Sequence, residues 1–143
     1  MVCFSDLDIM NSLEILKFLG ELGVLYRKRT LPLAFDYVED MLHNERIIEI
    51  RENGLPYAMI FYSVTNDPYS FLKKGEFEFK EHDPYASTVY IEKMISREWT
   101  KELRKQFESF LVERYPQLEY GIWHRYSKWG DRQVTVKRRF QHV

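Results

Sequence analysis

The sequence predicts an α/β domain of the α+β kind: a mixed, mostly antiparallel sheet with one parallel strand pair joined by a long crossover helix. Three patterns carry that expectation. Residues 46–52 and 55–65 alternate as strands around Asn53-Gly54, the pair that supplies both positive φ angles of a type I′ turn, so they form a β-hairpin. Residues 88–95, about 97–114 and 120–126 read strand, amphipathic helix, strand, and a helix of that length between apolar strands implies a right-handed crossover. Ahead of both, 12–22 and 32–42 carry apolar residues at helical spacing.

A chain of 143 residues is expected to be a single domain, 1–143, with enough core to fold without staples. Hydrophobic residues at 45% and aromatic residues at 16% exclude a disordered chain and put much of the core in Tyr, Phe and Trp. With 21 Lys+Arg against 22 Asp+Glu the formal net charge is -1, which argues against nucleic acid or an anionic membrane as an overall partner. The single cysteine, Cys3, has no intramolecular disulfide partner. Asp6 and Asp8 occupy the place of a basic leader segment, and no stretch approaches the roughly 18 apolar residues of a membrane span. A soluble, cytoplasmic protein is expected.

In chain order, Asn11 with Glu14 has the form of a capping box, and Leu13, Leu16 and Leu19/Gly20 make the apolar stripe of the first helix. A basic segment, Tyr26-Arg27-Lys28-Arg29, leads to Thr30 and a helix with Pro32 in its first turn and Asn44 as C-terminal cap. After the hairpin, 66–87 reads as a long loop with a short strand around Phe77 and Phe79, the size of loop that serves as a flap or partner surface. Strand 88–95 has two largely apolar faces, as a central strand does, with Glu92 where an apolar residue is expected. Ser96 is placed to cap the long helix, whose buried stripe would be Trp99, Leu103, Phe107, Phe110 and Leu111, with Pro116 as its stop. Strand 120–126 precedes a loop at 128–130 and a last strand over 132–140.

Glu92 is either an acid/base group tuned by burial or a structural acceptor paired with Arg125 or Lys93. His124 shares a strand side with Tyr120, Ile122 and Tyr126 and is either packed there or, if its strand adjoins that of Glu92, oriented by the glutamate. His43, His82 and His142 lack metal-ligand spacing, so no metal is expected. Hydrolase, Walker and HExxH motifs are absent. Arg125, Lys128, Arg132 and 137–139, interleaved with Trp123, Tyr126 and Trp129, form a basic-aromatic cluster: a solvated strand face, or a local contact for phosphate, nucleic acid or an acidic protein.

The order two helices, antiparallel hairpin, strand, long helix, strand pair resembles the GNAT (acetyltransferase) fold. That family carries a glycine-rich phosphate loop before its long helix, whereas this chain has Ser96-Arg97-Glu98-Trp99-Thr100-Lys101. The chain is closer to the toxin-activating lysine acyltransferases, a branch that uses an acyl group on acyl carrier protein and does without the loop. That resemblance implies a catalytic carboxylate at Glu92, and a histidine before the second helix, where Leu25-Tyr26-Arg27 instead has tyrosine. Tyrosine is a poor general base at neutral pH.

The resemblance implies an acyltransferase-like protein, acting on a protein lysine, with Glu92, Tyr26 and His124 at its centre and Arg27, Arg97, Arg125, Trp123, Tyr126 and Trp129 as substrate or partner contacts. Its acyl donor would be acyl carrier protein or coenzyme A. The competing expectation is a non-catalytic binding or assembly protein on the same fold, its cofactor site degenerate.

Overall fold

The computed structural model describes residues 8–21, 31–68, 80–126 and 133–140. Among them the order is α1 (Asp8–Glu21), α2 (Leu31–His43), β1 (Ile47–Glu52), β2 (Leu55–Thr65), β3 (Thr88–Ser96), α3 (Lys101–Arg114), β4 (Tyr120–Tyr126) and β5 (Gln133–Arg139). The strands form one sheet in the order β1-β2-β3-β4-β5, so β3 is central as its two apolar faces predict. The chain divides into two compact units, with β2 and β3 running through both.

The first unit holds α1, α2, β1, the start of β2 and residues 93–99. Asn11 lies inside α1, which starts three residues earlier, at Asp8, so the expected capping box does not form. An aspartate in the first turn suits the positive end of the helix dipole. Leu16 and Leu19 of the expected stripe are buried, together with Ile15 and Phe18, whereas Leu13 is 56% exposed. These side chains pack with Tyr37, Val38, Met41 and Leu42 of α2, Ile47 of β1, Met59 and Phe61 of β2, and Ile95 of β3. Tyr37 stacks on Phe61 with centroids 5.7 Å apart. At about 1.5–3 kcal/mol per fully buried large apolar side chain, this cluster outweighs any surface ion pair.

Helix α2 ends in a Schellman motif: the Arg46 amide donates to the Met41 carbonyl (2.9 Å) and that of Glu45 to the Leu42 carbonyl (3.0 Å). Asn44 is the cap residue, as expected, but the left-handed position falls on Glu45 (φ 59). The hairpin turn has φ 55 at Asn53 and 79 at Gly54, as a type I′ turn demands. Register slips once, between Ile50↔Ala58 and Arg51↔Pro56, leaving Tyr57 as a bulge.

The second unit holds 62–68, 80–92, 100–126 and 133–140 among the described residues. β3 pairs parallel with β4 from Thr88↔Tyr120 to Ile91↔Trp123, and β4 pairs antiparallel with β5 from Tyr120↔Arg139 to Tyr126↔Gln133. Gly121 is required by close approach: a Cβ there would lie 2.7 Å from the Phe140 ring.

Helix α3 is shorter than expected. Its cap is Thr100, whose hydroxyl accepts from the Leu103 amide (3.1 Å), not Ser96. The Ser96 hydroxyl accepts from the Glu98 amide instead (3.2 Å), a local turn that competes with helix. Leu103, Phe107 and Leu111 are buried as predicted, but Trp99 precedes the helix and is 45% exposed, and Phe110 is 39% exposed. The short strand expected around Phe77 and Phe79 lies outside the described residues. At the end of that loop, Asp83 closes a turn by accepting from the Ala86 amide at its carbonyl (3.1 Å) and from the Tyr85 amide at its side chain (3.0 Å).

Candidate functional site

The parallel ladder places the polar centre. Its last pair is Ile91↔Trp123, and the next residue on each strand is Glu92 on β3 and His124 on β4. The glutamate and histidine that the sequence singled out each stand one residue past the end of this ladder, in which they are not themselves paired. Tyr90 and Ile122, one pair earlier, share a buried cluster.

Glu92 is engaged by a residue that the sequence reading passed over. Lys80 Nζ donates to Glu92 Oε1 at 2.5 Å, with the lysine side chain 2% and the glutamate side chain 9% exposed. Lys80 was not among the partners that the sequence suggested for Glu92. Two opposite charges held out of water interact far more strongly than a surface pair, and each depends on the other to stay charged there. Lys80 Nζ also lies 6.0 Å from the ring centroid of Tyr90. Burial, and after it the charge of Glu92, push the Tyr90 hydroxyl up to about 12, so it stays protonated at neutral pH.

A second polar-aromatic group stands in the same unit. His82 Nδ1 accepts the Val64 backbone N–H at 2.9 Å, which leaves the ring proton of the neutral imidazole on Nε2. The ring meets Tyr62 and Tyr115 edge-on, with centroids 6.4 and 5.8 Å away, and the hydroxyls of those tyrosines are 3.1 Å apart. Lys80 and His82 are two residues apart in a segment that the sequence reading took as loop, and no local pattern marked either for the site.

In the first unit, Arg97 has a framework role. Its Nε donates to the Pro56 carbonyl (3.1 Å), its NH2 to Glu21 Oε2 (3.0 Å), its amide to the bulged Tyr57 carbonyl (3.0 Å), and its guanidinium lies 5.0 Å from the Phe18 ring centroid. Trp123 is half-buried and pairs with Ile91 and Val136 across the sheet. For Arg125 and Tyr126 the strand positions are described, opposite Val134 and Gln133. Tyr26, Arg27 and Trp129 lie outside the described residues. No group of His, Cys, Asp or Glu able to hold a metal occurs among the described residues, and none of their helices is long and apolar enough to cross a membrane.

No family model matches this chain, and no curated protein does. Among solved structures it is similar to the loading GNATL domain of CurA from Lyngbya majuscula, with a TM-score of 0.59 at 9% identity. The fold is GNAT-like. The match covers 84% of this chain and 62% of the CurA domain, and at this identity the likeness extends to the fold alone.

At the start of α3 the Leu103 amide donates to the Thr100 hydroxyl, and ahead of the helix the Glu98 amide donates to the Ser96 hydroxyl. Glu98 is exposed, and no glycine lies between Ser96 and Lys101.

Proposed function

We propose that this chain is an acyltransferase-like protein that moves an acyl group to a protein lysine, in the manner of the toxin-activating lysine acyltransferases it resembles. The observation that supports the reading is that Glu92 on β3 and His124 on β4 each follow the last pair of the parallel ladder, Ile91↔Trp123. A lysine ammonium must give one proton to solvent before its nitrogen attacks a thioester carbonyl, and the amine loses a second as the C–N bond forms. A carboxylate or an imidazole is suited to take that second proton and to pass it to the departing thiolate as the C–S bond breaks. The lack of a glycine-rich loop before α3, which the resemblance ties to an acyl group carried on a protein, favours that donor over coenzyme A.

A second reading is a non-catalytic binding or assembly protein. It is favoured by the Lys80–Glu92 pair, which occupies the carboxylate that the first reading needs. One experiment separates the two. The protein is incubated with acyl carrier protein and acyl-CoA pools plus a lysine-bearing acceptor, and each component is followed by intact mass spectrometry. Acyl transfer predicts an acceptor adduct that Glu92→Gln removes. With no adduct from either pool, the binding reading stands.

A further inference from the structure

Helix α3 segregates its charges. Lys101, Arg104 and Lys105 sit at i, i+3 and i+4, and Glu108 continues the same flank one turn on. Glu102 and Glu113 lie on the other flank, and Leu103, Phe107 and Leu111 are buried. The flank's one acid is engaged, because Arg138 of β5 donates to Glu108 Oε2 at 3.2 Å. No ion pair among the described residues neutralises Lys101, Arg104 or Lys105, and Arg104 Nε is buried with no hydrogen-bond partner.

These cations are also placed against the helix's own field. The first turns of a helix favour anions, and here they carry three positive charges against one acid, Glu102. A local rule broken without an internal gain points to a use outside the fold.

We propose that the Lys101–Arg104–Lys105 flank of α3 is a docking surface for an acidic segment of a partner protein. The charges are complementary to such a segment, and four helical residues of rise, about 6 Å, match a short acidic cluster rather than a run of phosphates. Glu102 and Glu113 on the neighbouring flank disfavour a polyanion that wraps further. The surface stands apart from the acyl-transfer reading and does not need it.

The test uses the full chain, isotope-labelled for NMR and titrated with an octaglutamate peptide. Expected are amide shifts concentrated at 101–108, binding that weakens between about 50 and 300 mM salt, and roughly a tenfold loss in the Lys101→Ala/Arg104→Met/Lys105→Ala variant. The melting temperature of that variant should hold or rise, since cations leave a helix start. Shifts elsewhere, no binding at millimolar peptide, or equal binding by the variant would overturn the proposal. So would a lower melting temperature, which assigns the three residues to packing, or tighter binding of duplex DNA or phosphatidylglycerol vesicles through the same residues.

Discussion

Two ion pairs, one in each unit, show how differently the same chemistry behaves with depth. Arg97–Glu21 spans 3.0 Å with side chains 41% and 42% exposed, while Lys80–Glu92 spans 2.5 Å with side chains 2% and 9% exposed. In water-exposed surroundings an ion pair contributes about 0–1 kcal/mol, because screening and side-chain entropy offset the attraction. In the interior the attraction is larger but so is the desolvation cost, and removing one partner strands the other. The sequence reading put Glu92 at a catalytic centre and Arg97 among its substrate or partner contacts. Burial separates them: one holds a polar centre together, the other dresses the surface over Phe18 and the hairpin.

The sharpest way to break this comparison is to cut the buried pair. Lys80→Met or Glu92→Gln alone should lose about 3–5 kcal/mol in denaturant unfolding, whereas Lys80→Met with Glu92→Leu should recover most of the loss. Equal losses in the single and double variants would mean that the groups act independently. The neighbouring aromatic group should respond less. Tyr62→Phe leaves the Tyr115 hydroxyl without its partner, and His82→Ala leaves the Val64 N–H without its acceptor, each at about 1–3 kcal/mol, and His82→Asn, which keeps an acceptor, should cost less than His82→Ala.

The pH response sharpens the buried side further. Because the folded-state value of Tyr90 is raised, its contribution is complete below the ordinary tyrosine value of about 10 and is lost as pH climbs toward about 12. A tyrosinate absorbance titration should therefore show one late-ionising residue that becomes ordinary in Tyr90→Phe, with stability near neutral pH untouched by this group. Smallest of all should be the exposed pair: Glu21→Gln is expected to change stability by no more than about 1 kcal/mol and to do so less at high salt.

Much of the fold was legible because it rests on short-range signals. Asn53-Gly54 is a turn whose φ angles follow from its residues, and β4 and the crossover follow from apolar spacing. What failed was decided by competition at helix ends. Ser96 was read as the cap, and the hydroxyl–amide geometry selects Thr100 instead. Leu13 against Ile15 is a choice of helix rotation that depends on what α2 presents. The site was half legible. Glu92 stood out as a charge in an apolar strand, but its partner came from a segment where one lysine among many has no local mark of burial.

The core of the first unit has a consequence in time. Ile95 belongs to the cluster of α1 and α2, and the Arg97 amide closes on the Tyr57 carbonyl, so both contacts must wait for chain made well after the hairpin. As the polypeptide leaves the ribosome, the helices and hairpin stand with that side of their core open until 93–99 emerges. Long-separation contacts of this kind slow folding and prolong the exposure of apolar surface. A nascent chain stalled before Lys93 is therefore expected to be the form that chaperones bind.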